Sequence, residues 1–477
     1  MADATMGSAE WWRDRLVKEL VARQAKVKLL EDYYRGEHPL PTPPKRLKPS
    51  VMAEARRAYS HLMRLGVTNW VKLVADAPSE RLEVIGFRFG KPDTTQDADQ
   101  AAWRIWQANS LDADSALVHD NALQTGTSFV LIDPFVAEGQ APLITCEHSA
   151  QMIVAYQPGS RRRRAAALKL WSDESGMFMA TLYLPGLIYK WQTKSLPTSW
   201  VERRPTGEEW PLTNPLGAVP VVEFRANPSL KAAPYGGGYG EFESVLSIQD
   251  RINKTIFDRL VTAEFQAFRQ RWAIGWSPET DEATGLPRED QIFKASQAFL
   301  WTFAADPAEV KVGEFGQADF TQFIKATETD VNAMAAISKT PPHYLLGAMV
   351  NISGDGIVAA ESGLTSKSRK HGRNFGESWE EVMRLALAAT GSPHATDLSS
   401  QIIWADFERR TWGEQVDAVS KMGADPINVP REALWSMLPG VKPQDMARWT
   451  AMNEAEQLLN PPPDPVPANG PQPVPTV

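Results

Sequence analysis

The sequence predicts an α+β protein with one unusually long helix near its middle. Residues 240–272 place apolar side chains in steps of three and four, the spacing of one helical face. Residues 142–225 consist instead of short strand-like runs separated by turn residues. Helical spacing returns on both sides of these stretches, so helices and strands occupy separate blocks of the chain.

The composition is that of a globular protein. The 477 residues are 43% hydrophobic and 23% charged, enough chain for roughly two to four domains. A net charge of −8 and a pI near 5.6 argue against tight electrostatic binding of DNA, because such binding needs clustered Lys and Arg. Cys146 is the single cysteine, which excludes an internal disulfide framework and a CxxC metal site. We expect no membrane span, since no run of about 18 apolar residues occurs and the N-terminus lacks an apolar signal core.

The N-terminal region predicts helices followed by strands. Gly36 and the prolines after it end the first helix, and Pro78 closes the second. Helices are expected at 9–35, 51–75, 97–108 and 112–125, with strands at 82–89 and 128–132. Within the strand-rich block, the arginine run 161–164 follows a Pro-Gly-Ser turn. We interpret this run as a solvated hairpin tip, with a contact to phosphate or a partner as the alternative.

Two long helices, at 240–272 and 319–338, frame a turn-rich insert. The first is roughly 45 Å long at about 1.5 Å per residue, and the glycines at 236–240 are interpreted as a hinge into it. The insert is expected to be a small α/β unit with strands near 297–303 and 309–313. If the helices pair antiparallel, the insert lies at one tip of a two-helix stalk; a core helix of a large α domain is the alternative. The face opposite the apolar stripe of 240–272 carries Asp250, Arg251, Asn253, Lys254, Asp258 and Arg259.

The C-terminal third predicts further helices and one strand. Pro341 and Pro342 end the second long helix, and a polar connection follows at 340–357. A third long helix is expected at 357–389, a strand at 401–404, and helices at 412–423, 430–437 and 443–459. The tail 461–477 is rich in proline and is expected to be disordered.

The sequence contains none of the common catalytic motifs. It lacks a P-loop, HExxH and GxSxG, and its seven histidines are scattered without a pair at helical spacing. We therefore predict an architectural protein with no catalytic residue, metal or cofactor. A nuclease or glycosidase site built from carboxylates stays open as an alternative, because carboxylates cannot be paired from sequence alone.

Short motifs in a fixed order along residues 10–455 resemble a known family. They are Tyr33-Tyr34-x-Gly36-x-His38-x-Leu40, Asn69-Trp70, Arg81-Leu82-x-Val84-x-Gly86-Phe87, Gly126-x-Ser128-Phe129-Val130, Thr340-Pro341-Pro342-His343-Tyr344-Leu345-Leu346-Gly347, Ile352-Ser353-Gly354, Ala360-Glu361-x-x-Leu364 and Lys367. Each motif is weak alone, but their order resembles the portal proteins of tailed bacteriophages. The resemblance is to the Gp6-type group of siphophages, especially those that infect actinobacteria.

The resemblance implies a structural role in the virion. Such portals form a ring, usually a dodecamer, at one capsid vertex, and double-stranded DNA passes through it without sequence specificity. The implied partners are the terminase large subunit, the head-completion adaptor, and the major capsid and scaffolding proteins, with no membrane. The implied location is the virion, with host cytoplasm during assembly.

The resemblance also divides the chain into parts of a ring-forming portal fold. These parts are a mixed wing at 1–235, stem helix 1 at 236–272, a clip at 273–318, stem helix 2 at 319–339, a tunnel loop at 340–357, a wing helix and strand at 358–405, a helical crown at 406–460 and the tail at 461–477. The candidate tunnel-loop residues are Met349, Asn351, Ser353 and Asp355, and the clip docking candidates are Arg288, Glu289 and Asp290. The channel-lining candidates are Lys254, Asp258, Arg259, Lys325 and Lys339.

Lysines and arginines of the long helices could form salt bridges between subunits instead of lining a channel. Two rival functions for the whole chain also stay open. The chain could also be a phage nucleic-acid-processing enzyme, or a head–tail adaptor ring, although adaptors are usually much shorter than this chain.

Overall fold

The computed structural model describes eleven labelled helices and fifteen strands. The described residues are 5–38, 62–88, 96–137, 139–197, 199–207, 209–230, 237–267, 271–274, 311–314, 316, 319–347, 354–408, 412–424, 427, 429–435, 438, 441 and 443–459. The helices are α1 Ala9–Arg35, α2 Trp70–Ser79, α3 Gln96–Ala108, α4 Leu111–Thr125, α5 Leu246–Ala267, α6 Phe320–Ser338, α7 Pro342–Leu346, α8 Gly354–Ala389, α9 Trp412–Gly423, α10 Arg431–Trp435 and α11 Pro443–Leu459. The mixed α and β content agrees with the predicted class.

The strands form one larger sheet and several small ones. They are β1 Val84–Arg88, β2 Thr127–Ile132, β3 Ile144–Glu147, β4 Met152–Tyr156, β5 Arg164–Ser172, β6 Phe178–Tyr183, β7 Leu187–Thr193, β8 Val201–Glu202, β9 Leu212–Thr213, β10 Val221–Arg225, β11 Asn227–Pro228, β12 Gly238–Tyr239, β13 Arg271–Ile274, β14 Lys311–Glu314 and β15 Gln401–Trp404. The larger sheet runs in the order β4-β5-β6-β7-β8, with β9 also paired to β7. The order β10-β2-β3 makes a three-stranded sheet, and β1 pairs with the distant β15.

Helix α1 joins the larger sheet to the long helices. Ser8 caps its first turn by accepting the Trp11 N–H at 3.2 Å, and Gly36 ends it in the left-handed conformation at φ +78°. The N-terminal half buries Leu16 and Leu20 against the larger sheet. The C-terminal half buries Tyr33 in a different cluster, with α5 and α6. One helix therefore contributes to two cores.

The longest helix, α8, lies in the main core. Phe375, Trp379 and Met383 of α8 are completely buried, in one cluster with Trp106 of α3 and Phe224 of β10. Because β15 follows α8 and pairs with β1, a C-terminal segment completes an N-terminal unit. One face of α8 is buried along much of its length, which accounts for the helical spacing of apolar residues at 357–389.

Helices α5 and α6 pair antiparallel, which is the condition for the stalk interpretation. Strand β13 follows α5, β14 precedes α6, and these strands pair antiparallel with Arg271 opposite Glu314. The shared core contains Ile252 of α5 and Met334 of α6, both fully buried. The exposed edges are joined by the Arg251–Asp330 salt bridge at 2.7 Å.

Several predicted boundaries are wrong. The helix predicted at 240–272 begins at Leu246, after a 3₁₀ turn at Glu243–Val245, and ends at Ala267, because residues 271–274 pair as β13. The continuous helix predicted at 51–75 is interrupted: residues 62–65 are helical, and α2 starts separately at Trp70. At the break, Gly66 packs closely on α5, where a Cβ would lie 3.3 Å from the backbone of Phe257, and Asn69 caps the start of α2.

The connection predicted at 340–357 is largely helical in the described residues. It contains α7, and α8 begins at Gly354, three residues earlier than expected. Proline at the first position of α7 starts a helix as readily as it ends one, which the sequence interpretation did not use. The strand predicted near 297–303, most of the clip and the tail 461–477 lie outside the described residues. No described helix is both long enough and apolar enough to cross a membrane.

Candidate functional site

The paired helices α5 and α6 carry the channel-lining candidates. Lys254 and Asp258 form an exposed salt bridge one helical turn apart. Arg259 is partly exposed and Lys325 is exposed; neither has a carboxylate partner among the residues that the structure describes. Lys339 is exposed just after α6, in the left-handed conformation at φ +54°. All five therefore reach the surface of a single subunit, with opposite charges side by side.

The candidates in the tunnel loop and clip are mostly beyond the described part of the chain. Met349, Asn351, Ser353, Arg288, Glu289 and Asp290 lie outside the described residues. Asp355 is in the first turn of α8, so its assignment to a loop is wrong.

A buried ionic network connects Glu241, just before α5, to α8 and to the end of α6. The two carboxylate oxygens of Glu241 lie 3.1 Å from Lys367 Nζ and 2.9 Å from His371 Nε2. Asn227 donates a further hydrogen bond to Glu241 at 2.9 Å. Lys367 also donates to the carbonyl of Ser338, the last residue of α6, at 2.8 Å. Three segments far apart in sequence are thus fixed at one point.

The electrostatics of this network favour a charged Glu241. Burial alone would raise the pKa of Glu241, but the hydrogen bond from His371 and the charge of Lys367 lower it to about 2. Burial lowers the pKa of Lys367, and the carboxylate of Glu241 opposes that change. The side chains of Lys367 and Glu241 are 9% and 6% exposed, so loss of either partner leaves a buried charge unpaired.

Arg81 forms a second anchor, between α7 and α8. Its guanidinium lies 3.0 Å from Glu361 of α8 and donates to Thr365 at 3.1 Å. It also donates to the Tyr344 hydroxyl of α7 at 3.3 Å and to the carbonyl of Phe407 at 3.0 Å. With a side chain that is 3% exposed, Arg81 fixes both helices that flank residues 348–353.

A neutral polar cluster secures the first turns of α5. Gln249 is completely buried and its Oε1 accepts the N–H groups of Trp70 at 3.0 Å and Val71 at 3.2 Å. Its Nε2 donates to the carbonyl of Thr68 at 2.9 Å. Asn253 accepts the N–H of Thr68 at 3.0 Å and is 6% exposed. The prediction that Asn253 lies on the polar outer face is therefore wrong.

The glycines before α5 permit a close backbone crossing. Gly126 ends α4 at φ +92°, and a Cβ there would lie 2.5 Å from the carbonyl oxygen of Gly238. A Cβ on Gly238 would likewise lie too close to the carbonyl oxygen of Gly126. The Gly-rich segment is therefore packed tightly at Gly238, which differs from the hinge that the sequence suggested.

A charged cleft of about 610 Å³ opens beside the Glu241 network. Lys339, Lys370 and Arg373 line it, and none of them has a carboxylate partner within the described ranges. Glu243, also in the lining, pairs with Lys26 at 3.0 Å. The cleft therefore has an excess of positive charge at the base of the paired helices.

The arginine run is divided between structural and exposed positions. Arg161 donates to the carbonyl of Ser229 at 3.3 Å, and Arg164 pairs with Glu381 of α8 at 2.6 Å. Arg162 and Arg163 are exposed at the hairpin. The solvated-tip interpretation thus holds for the middle two residues and misses the anchoring role of Arg164.

Comparison with known proteins decides the family. The family model for phage portal protein, SPP1 Gp6-like, matches residues 14–458. The chain belongs to this portal family. Relatives named portal proteins occur in Mycobacterium phage D29, 30% identical over 440 residues (88% of this chain and 84% of the relative), and in Mycobacterium phage L5, 30% identical over 429 residues (85% and 82%).

A solved structure also aligns with most of the chain, at low sequence identity. A chain in the virion of a native gene transfer agent particle aligns with a TM-score of 0.42 and 10% identity, covering 84% of this chain and 97% of that one. The family assignment rests on the sequence matches. It makes the protein a structural portal of a bacteriophage capsid and implies assembly as a ring.

The family motifs of this portal protein coincide with its structural anchors. Arg81, Tyr344, Glu361 and Lys367 meet in the two anchors described above. In the N-terminal motif, Tyr33 donates to Asp250 of α5 at 2.8 Å. Glu241, Gln249 and His371 could not be recognised as buried anchors from the sequence, because a single polar residue does not reveal which distant residue it contacts. The described residues contain no group of three or more metal-binding side chains.

Proposed function

We propose that the portal assembles as a dodecameric ring whose α5 and α6 helices form a stem around a channel for double-stranded DNA. The observation that most supports this proposal is the antiparallel α5–α6 pair, with one face buried in a shared core and the other exposed and charged. A ring of such pairs has heterologous contacts that close by rotation. The face of these helices that lines the water-filled channel would be polar.

The charge distribution supports passage of DNA instead of retention. Arg251 and Lys254 are already paired with Asp330 and Asp258, which reduces the positive charge available to phosphates. A wall that neutralised many phosphates would bind DNA tightly, because each released counterion adds to affinity. Arg259, Lys325 and Lys339 then supply isolated, non-specific phosphate contacts along the stem.

The remaining parts follow the family template. Residues 273–318 are proposed as the clip, where Arg288, Glu289 and Asp290 dock the terminase large subunit and later the head-completion adaptor. The wing, 1–235 and 358–405, would face the major capsid and scaffolding proteins, with assembly in host cytoplasm. Residues 406–460 would form the crown.

Residues around 348–353 are proposed as the tunnel loop, in which Met349, Asn351 and Ser353 approach DNA. The support is the position of this segment between α7 and α8, which both contact Arg81, through Tyr344 and Glu361.

The proposal assigns no catalytic residue, metal or cofactor. It is tested by mass photometry and negative-stain imaging of the purified portal, alone and co-assembled with scaffolding protein. We expect a ring with a central hole; a strictly monomeric protein under both conditions contradicts the proposal. Metal-dependent cleavage of plasmid DNA, abolished by a single carboxylate substitution, would instead support the nuclease alternative.

A further inference from the structure

The C-terminal helices enclose an exposed apolar groove. Helices α10 and α11 border a groove of about 800 Å³. The rings of Trp435 and Trp449 meet edge to face in it, with centroids 5.5 Å apart at 78°. Met452 and Leu459, both in the lining, are 59% and 81% exposed. These side chains leave apolar surface beside the tryptophan pair that is available to another segment.

The next segment of the same chain begins at the edge of this groove. Leu459 lines the groove, and the described helix ends there. The tail 461–477 that follows contains eight prolines and one charged side chain, Asp464.

The composition of the tail fits an aromatic groove. Proline fixes φ near the polyproline II value, so such a segment loses little conformational entropy on binding. Proline-rich segments dock into grooves lined by aromatic side chains for this reason. The groove lining holds one cation, Arg431, and one anion, Glu456, and Asp464 of the tail is available to pair with Arg431.

The tail is long enough to reach the whole groove. At about 3.1 Å per residue, residues 460–477 extend to roughly 55 Å in the polyproline II conformation. Helix α11 has 17 residues and spans roughly 26 Å at about 1.5 Å per residue. The Asn469-Gly470 pair provides a turn signal within the tail.

We propose that the proline-rich tail 461–477 occupies the α10–α11 groove of its own chain and covers Trp435 and Trp449. The tail then acts as a built-in cover for the apolar end of the chain. This inference concerns each subunit alone and does not depend on ring formation or on a DNA channel.

Hydrogen exchange in the full-length portal tests the cover. Compared with the full chain, a chain ending at Asn460 should exchange amides of 431–459 about tenfold faster, because α10 and α11 lose buried contacts. A synthetic peptide 461–477 added to the shortened chain should restore slow exchange, and the same peptide with its prolines replaced by serine should not. Equal exchange in the full and shortened chains overturns the proposal.

Cross-linking tests whether the tail acts within its own chain, and it stays informative if the shortened chain unfolds. In a Cys146→Ser background, Met452→Cys combined with Val474→Cys should form an intramolecular disulfide under mild oxidation. The matched control is Leu398→Cys with Val474→Cys, since Leu398 is 83% exposed outside the groove. A disulfide that joins two chains, or equal cross-linking of the control, overturns docking within one chain.

Discussion

Neutralising Glu241 should destabilise the portal by about 3 kcal/mol at neutral pH. The fall in its pKa from 4.5 to about 2 corresponds to about 3 kcal/mol at about 1.4 kcal/mol per pH unit. Loss of one partner from a buried ion pair gives a similar figure, about 3–5 kcal/mol. Glu241→Gln keeps the shape of the side chain while removing its charge, so the loss reports the ion pair with Lys367 and the hydrogen bond with His371.

The pH dependence of this effect has a definite sign. The folded-state pKa of Glu241 lies below its unfolded value, so its contribution is fully present above pH 4.5 and is lost as the pH falls toward about 2. The difference in free energy of unfolding between wild type and Glu241→Gln should therefore shrink over that interval. Urea unfolding followed by circular dichroism at several pH values measures it.

Two controls make the result specific. Lys254→Met removes the cation of an exposed pair and should cost less than about 1 kcal/mol. The double variant Glu241→Gln with Lys367→Met should be more stable than Glu241→Gln alone, because no buried ammonium is left unpaired. A Glu241→Gln loss no larger than that of Lys254→Met, or one independent of pH, refutes the reasoning.

Three further predictions concern other parts of the molecule. Arg81→Lys should cost about 2–4 kcal/mol, since a lysine cannot reproduce a guanidinium that serves four partners; stability equal to wild type by thermal unfolding contradicts this. Gly126→Ala should lower stability by more than about 2 kcal/mol through its positive φ and its close contact with Gly238. Gly413→Ala, at a helical position with open space, should be neutral or stabilising by about 0.5–1 kcal/mol. Equal effects of the two substitutions in urea unfolding argue against the close backbone contact between Gly126 and Gly238. Shortening 348–353 should impair DNA packaging while rings still form, and a normal packaged genome length with normal titre rules out the tunnel-loop proposal.

Local sequence signals predicted most of the helices and strands. The bounds of α1 were correct because Gly36 is a strong helix-end signal and the apolar stripe is continuous; the structure adds Ser8 as the cap of the first turn. The strand at 401–404 was correct for a similar reason, as a short apolar run between turn residues. Two long apolar stripes separated by one insert are compatible with an antiparallel α5–α6 pair, and the pairing of β13 with β14 decides it.

The anchors could not be predicted from the sequence, because they depend on partners far along the chain. Glu241 and Lys367 are separated by a helix pair and an insert, and nothing local distinguishes their buried charges from solvated ones. Asn253 looked like an outer-face residue by helical spacing, but the loop at Thr68 covers that face. Likewise, the end of α5 at Ala267 depends on pairing between β13 and β14, which helical periodicity does not register.

A cryo-electron microscopy map of the assembled portal ring tests the central claim most directly. The account predicts a closed ring in which α5 and α6 of every subunit surround a central channel, with Lys325 on the wet side. A ring in which other elements line the channel, with the α5–α6 pairs on the periphery, contradicts it.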